Sequence, residues 1–440
     1  MRNVIMISTD QQRVDAMGCV DSSYLTPNLD KLVERSVRFT GAISTSAQCT
    51  PSRAAWMTGK FPHQVGVYNI GHVLDPQEWG IAKEFNQAGY ETVYLGKWHL
   101  GLSPADHEFQ VTDYRTEGME LAGGNPDPRF HSHKDAKSTA QAINYLDDHD
   151  GSKPFFMKLN WYMPHPNAPV DHPFELVERY ADQFPQDEMP IPDSFYKDDL
   201  SGKPPFQRER SETGESALTE NLVKRDAQRY RAMLALMDTH LGRIIDKLES
   251  KNMLENTVIL FTSDHGDMQG AHRLRLKGVL PYKELYNVPL IVHLPGYEPK
   301  RKVIPDLVST AAITGTLLDA AGIKVPKECE GGSLLPVMEK VEPPKDEHVF
   351  FEHYKAYWGY HPMIGIQTPE WKYVYYLEDD LEEMYNLLED PEEIQNIAND
   401  PEVNETRLRL RQTVQLWWSE TGGFTRPAIE DPKSDWKFAN

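Results

Sequence analysis

The chain is short of cysteine. Its three cysteines, Cys19, Cys49 and Cys329, are too few and too scattered for a disulfide framework or a zinc-binding spacing. It has no run of about 18 apolar residues, so no segment is expected to span a bilayer as a helix. The apolar run from Val4 to Ser8 is too short for a signal-peptide core, and no cleavage site follows it. A cytoplasmic location is the expectation, or a periplasmic or secreted one if an upstream signal is removed. Positive charge is also scarce. Lys and Arg number 46 against 67 Asp and Glu, a net charge of -21. Such a surface repels nucleic acid and anionic membranes, and its ordinary role is solubility. An anionic substrate would need a local cationic pocket to overcome that field. Repeats and low-complexity tracts are absent as well.

What is present is an ordinary globular composition, with 39% hydrophobic and 26% charged residues. A chain of 440 residues buries roughly 75% of its unfolded surface, enough for a large core. Strand-like apolar runs alternate with helical patterns. Val4 to Ser8, Thr92 to Leu95, Phe155 to Trp161, Asn256 to Phe261 and Val288 to Leu294 read as buried strands. Pro27 to Ser36, Ile81 to Gln87, Thr139 to Leu146, residues 220–250 and Thr310 to Ala321 read as helices, the fourth with one apolar face from Tyr230 to Leu248. This alternation predicts an α/β fold with a large, mostly parallel sheet covered by helices on both faces. Ligands in such sheets sit beyond the carboxyl ends of the strands. Residues 100–135 and 165–220 read as long loops that shape a binding site. Beyond about residue 340 the pattern becomes short strands and a closing helix, Asn404 to Trp418. The expected domains are therefore 1–340, catalytic α/β, and 341–440, a small α+β subdomain with an antiparallel sheet.

The run Cys49-Thr50-Pro51-Ser52-Arg53 reads as a helix start, with Thr50 as the cap and Pro51 at the first helical position. Cys49 then lies just outside a helix N-terminus, where negative charge is favoured. The bland alternative is a buried lone cysteine near a turn. The first strand ends at Asp10-Gln11, and a late strand ends at Asp264-His265. Two carboxylates, an amide oxygen and an imidazole can converge there on one divalent ion. Either run alone is as well explained by a helix cap. Lys97 and His99 follow a strand and point the same way if the segment is extended. His165 lies between two prolines after another strand. Lys277 closes the basic run His272-Arg273-Leu274-Arg275-Leu276-Lys277. For these last three segments, surface cations and core histidines are the plain alternatives.

In order and spacing these segments resemble the formylglycine-dependent sulfatases of the alkaline phosphatase superfamily. The likeness covers nearly the whole chain. It rests above all on Cys-x-Pro-Ser-Arg at Cys49 to Arg53, and it extends to Tyr286 to Val292, Trp371-Lys372-Tyr373 and Leu387 to Pro391. The resemblance implies that a separate maturation enzyme oxidises Cys49 to formylglycine. Of the hydrated aldehyde's two hydroxyls, one attacks sulfur and the other allows sulfate to leave. It further implies that Asp10, Gln11, Asp264 and His265, with residue 49, hold a divalent metal, and that Arg53 holds the formylglycine side chain. Lys97 and Lys277 would bind sulfate oxygens, His165 would protonate the leaving oxygen, and His99 would assist the diol. Two positions depart from the fullest pattern: Gln11 stands for a common Asp, and His265 for a common Asn. The changes cut the formal ligand charge to about two carboxylates and add a nitrogen donor, which makes Mn2+ a competitor, while the resemblance to the family keeps Ca2+ the expected ion.

The expected activity is hydrolysis of a sulfate monoester, carbohydrate or another small organic sulfate. The alternative is a phosphonate monoester hydrolase or phosphodiesterase with the same nucleophile. A degenerate binding protein on the same fold would have lost the nucleophile or the ligands, and both are present. His272, Arg275 and His361 are further candidates for substrate contact. Arg273 and Arg275 suit a second anionic group such as a uronate. Tyr354, Trp358, Tyr360 and His361 suit a sugar. Packing and surface roles are the competing readings for all of them. Oligomeric state is left open by the sequence.

Overall fold

A computed structural model describes residues 1–116, 134–166, 180–212, 218–340, 347–356 and 359–423. Trp358 and parts of both long loops lie outside the described residues. The larger sheet contains seven strands: β1 (Asn3–Thr9), β2 (Val37–Ile43), β3 (Glu91–Gly96), β4 (Phe155–Asn160), β5 (Thr257–Ser263), β6 (Leu290–His293) and β7 (Val303–Ser309). Their spatial order is β3-β4-β1-β5-β6-β2-β7. Only β6 runs against its neighbours, β5 and β2; every other pairing is parallel.

The expected mostly parallel α/β sheet is therefore present. Two of its strands were not legible in the sequence. β2 carries Gly41 in a bulged stretch, and β7 carries Pro305, both of which interrupt a strand pattern. Side-chain alternation divides the core in two. Ile5 and Ile7 of β1 face one side, against helices α1 (Pro27–Glu34), α4 (Lys134–Asp148) and α6 (Glu220–Ser250). Val4 and Met6 face the other, against α2 (Cys49–Thr58), α3 (Ile81–Gln87) and α7 (Ala312–Ala320). The longest of these, α6, is capped by Thr219, which accepts from Leu222 N at 3.3 Å. It buries Tyr230, Leu234, Met237, Leu241, Ile244 and Leu248 on one face. Each such aliphatic or aromatic side chain contributes about 1.5–3 kcal/mol on burial. Among the described residues no helix is long and apolar enough to cross a membrane.

The second sheet is an antiparallel meander of β8 (Val349–Ala356), β9 (Gly359–Gln367), β10 (Trp371–Tyr376) and β11 (Leu381–Asn386). Helix α8 (Asn404–Glu420) covers it through Leu410, Val414 and Trp418. A short helix α5 (Pro205–Glu212) places Phe206 against this sheet. The two sheets share a core, because Ile43, Ala47 and Tyr286 pack with Phe351 and Tyr376. Glu352 N donates to Thr45 O at 2.9 Å, so β8 lies directly against the segment that leads into Cys49.

Candidate active site

The site follows from sheet register. Thr9 pairs with Ser263, so the next residues, Asp10 and Asp264, leave the sheet side by side. Ser8 pairs with Asn160, and Asn160 with Gly96, so the segments bearing His165 and Lys97 leave at the same edge. Gly96 turns there at φ 91, where a Cβ would lie 2.0 Å from Asn160 O, so only glycine fits. β2 runs parallel to β1 through β6, and its exit delivers residues 44–49 to that edge.

Helix α2 begins at Cys49 itself, with Gln48 in extended backbone as the cap residue. Thr50 is not the cap. Its hydroxyl donates instead to His99 O at 2.9 Å. Pro51 is tolerated because the first-turn N–H groups have no helical acceptor to lose. Cys49 thus sits in the first turn, buried, with its Sγ 2.8 Å from Lys277 Nζ, 3.3 Å from His265 Nε2 and 3.7 Å from Asp10 Oδ1. Burial pushes its thiol pKa up and Asp10 adds to that, yet Lys277, Lys97 and His265 together hold it well below the ordinary thiol value.

Arg53, one turn on, bridges the two carboxylates: Nη2 lies 3.1 Å from Asp10 Oδ2 and 2.9 Å from Asp264 Oδ2. Its Nη1 also donates to Lys97 O at 3.3 Å, so its hydrogen bonds go to the acids and to that carbonyl rather than to Cys49. Lys97 pairs with Asp10, and Lys277 Nζ lies 3.8 Å from Asp10 Oδ1. Burial raises Asp10, but Lys97, Lys277, His165 and Arg53 hold it well below the carboxylate range. Asp264 is raised by burial and by Asp10, with His265 and Arg53 only partly compensating. His165 is pushed down to about 3, by burial first and then by Lys277.

Four donors, from Asp10, Cys49, Asp264 and His265, lie within 4.8 Å of one another. His265 Nδ1 bonds the Gly266 carbonyl at 2.8 Å, which leaves the Nε2 lone pair for an ion. Gln11 is held at φ 72, a conformation costing roughly 1 kcal/mol, by Tyr230 OH on its carbonyl and by Asp267 on its side-chain nitrogen. Its Oε1 is buried with no hydrogen-bond partner among the described residues. An orphaned amide oxygen beside two carboxylates and an imidazole fits a divalent cation.

Three candidates from the sequence are placed elsewhere. His272 is fully buried and its Nδ1 is taken up by Asp198 at 2.6 Å, away from solvent and from any substrate surface. Arg275 binds Asp226 of α6 at 2.6 Å. His361 stacks on Phe206 with ring centroids 3.8 Å apart and bonds Asp379. Tyr354 packs edge-on against Tyr68. His99 stands at φ 62 with Nδ1 buried and unpartnered among the described residues.

Two residues at the site were missed. Asp267 was open to detection, since it lies three positions after Asp264. His353 was not. It comes from β8, is buried, and donates from Nε2 to Lys355 O at 3.1 Å, close enough to His265 and Lys277 to feel their charge.

A Sulfatase family model matches residues 2–323, and a model of the N-sulphoglucosamine sulphohydrolase C-terminal region matches residues 270–418. An N-acetylglucosamine-6-O-sulfatase from Bacteroides thetaiotaomicron is 28% identical over 87% of this chain and 80% of its own length. A protein solved in complex with its substrate D-glucosamine-2-N,6-O-disulfate superposes with a TM-score of 0.79, covering 98% of this chain and 100% of that one at 24% identity. The phosphonate monoester hydrolase of Agrobacterium radiobacter shares the fold, with a TM-score of 0.77 over 96% of both chains at 22% identity. That likeness is of fold alone, so the phosphonate reading has less behind it. The family match spans the whole strand edge that gathers Cys49, Arg53, Lys97 and the paired carboxylates, and with it the chain belongs to the sulfatase family and is a sulfuric-ester hydrolase.

Proposed function

We propose that the protein hydrolyses a carbohydrate sulfate monoester, with Cys49 working as formylglycine and Asp10, Gln11, Asp264 and His265 holding Ca2+. The observation that carries this reading is the position of Cys49 Sγ, 2.8 Å from Lys277 Nζ and grouped with two buried carboxylates and an imidazole. A divalent ion there supplies Lewis acidity and screens the charge between nucleophile and sulfate. The sugar preference draws on the relatives, which include an N-acetylglucosamine-6-O-sulfatase and an ulvan-active sulfatase.

The chain's own residues account for the rest. Lys97 and Lys277 are the two ammonium groups beside position 49, and they bind sulfate oxygens. Arg53 bridges the two carboxylates and orients them. Charge in the transition state grows on the alcohol oxygen that departs, which calls for a proton donor. His165 takes that role. Burial first and then Lys277 push its pKa down to about 3, and the negative charge of a bound sulfate ester beside it would offset that cation and favour the protonated form.

The test measures sulfate release from a panel of sulfated mono- and disaccharides, beside aryl sulfate and aryl phosphonate esters. The residue-49 peptide is weighed by mass spectrometry and bound metal is analysed in the same preparation. Turnover of a sugar sulfate by formylglycine-bearing, Ca2+-containing protein is expected. A higher kcat/KM for the phosphonate, or active protein with unmodified Cys49, would overturn the proposal. Near-stoichiometric Mn2+ in place of Ca2+ would correct the ion alone.

A further inference from the structure

The segment carrying His165 leaves β4 and must stop at a fixed place for its imidazole to serve the reaction. Its backbone is tied on two sides. From β1, Asp10 N donates to Met163 O at 3.1 Å, and Trp161 N donates to Ser8 O at 2.8 Å. From α4, one side chain takes the two consecutive amides at the bend. Asp135 Oδ1 accepts from Tyr162 N at 2.7 Å and Oδ2 from Met163 N at 2.9 Å. Asp135 has no exposed surface. Four residues further along the helix, Thr139 Oγ1 accepts from Trp161 Nε1 at 3.0 Å. His165 N closes the turn onto Tyr162 O at 3.0 Å, so the imidazole is one turn away from the amide that Asp135 grips.

We propose that Asp135 is a positioning residue for catalysis: its carboxylate fixes the Tyr162–His165 turn so that His165 meets the departing oxygen of the sulfate ester. The inference rests on the reading of His165 as proton donor. Both carboxylate oxygens are needed. Asparagine keeps the shape but turns an NH2 toward one of the two backbone N–H groups, where two donors face each other. The turn must then shift, and a proton donor displaced by about 1 Å loses much of its effect.

The experiment uses a series of substituted aryl sulfates graded in leaving-phenol acidity, turned over by the metal-loaded, matured full chain. A working proton donor makes kcat only weakly dependent on leaving-group acidity. His165→Ala is expected to steepen that dependence, with losses of about 100-fold or more at the poorest leaving group. Asp135→Asn is expected to steepen it in the same direction, by at least about tenfold at the poorest leaving group relative to 4-nitrophenyl sulfate. A merely structural defect would lower all substrates alike. If His165→Ala steepens the slope and Asp135→Asn leaves it parallel to wild type, the positioning role is wrong. If His165→Ala itself leaves the slope unchanged, the proton-donor reading fails first and this inference falls with it. Should Asp135→Asn not fold, Asp135→Ser, which retains one acceptor, is read against the same slope with the same two outcomes.

Discussion

Arg53 meets Asp264 through two nitrogens on one oxygen: Nε lies 3.0 Å and Nη2 2.9 Å from Oδ2. The other oxygen, Oδ1, accepts the backbone amides of Gln11 and His265, each at 3.0 Å. One carboxylate therefore ties the nucleophile helix to both ligand-bearing strand ends.

Arg53→Ala should destabilise the protein as well as inactivate it. Asp10 and Asp264 would lose their bridging cation while fully buried. Breaking a buried pair in this way costs about 3–5 kcal/mol. Chemical denaturation of the metal-free protein checks the value, and a loss below about 1 kcal/mol would show that the bridge is dispensable.

Cys49→Ala should abolish sulfate release, with kcat reduced by at least about three orders of magnitude. Cys49→Ser should restore no sustained turnover, because a single hydroxyl has no second hydroxyl to release the sulfate. Stopped sulfate assays on both variants, with wild type matured in the same host, make the comparison.

Asp267→Asn should weaken metal binding although Asp267 is not itself one of the proposed ligands. Asp267 accepts from the Gln11 side-chain nitrogen and thereby orients its free Oε1. Loss of such a supporting contact costs about 10–100-fold in affinity. Calorimetric titration of chelator-treated protein with Ca2+ measures it, and an unchanged Kd would remove Gln11 from the ligand set.

Stability should fall with acid in a range set partly by His353. Burial, opposed only in part by its bond to Lys355 O, pushes this imidazole down to about 3. In the unfolded chain it titrates near about 6.5. Above that pH the residue is neutral in both states and costs nothing. Below it the unfolded chain takes a proton that the folded one refuses, so stability drops by about 1.4 kcal/mol per pH unit until the folded value is reached. His353→Gln should remove about 1.6 kcal/mol of the loss between pH 6.5 and 5, since the slope is only half developed at the unfolded pKa itself. Denaturation midpoints at the two pH values decide it, and parallel losses in wild type and variant would refute it.

The sequence by itself determined the nucleophile string at Cys49 to Arg53, the strand ends at Asp10 and Asp264, and the alternation of strands and helices around them. Those are local signals, spelled within a few consecutive residues and governed by backbone period and helix-start chemistry. It also named His272, Arg275 and His361 for the substrate, because a residue type says nothing of what stands opposite it. Only the tertiary structure decided that Asp198, Asp226 and Phe206 occupy those side chains. The grip of Asp267 on Gln11 spans 256 residues, and β8 brings His353 to the site from a different sheet. Cys49 itself moved from outside a helix to its first turn, since a proline lacking N–H is accepted throughout that turn and so marks its vicinity but not its first residue.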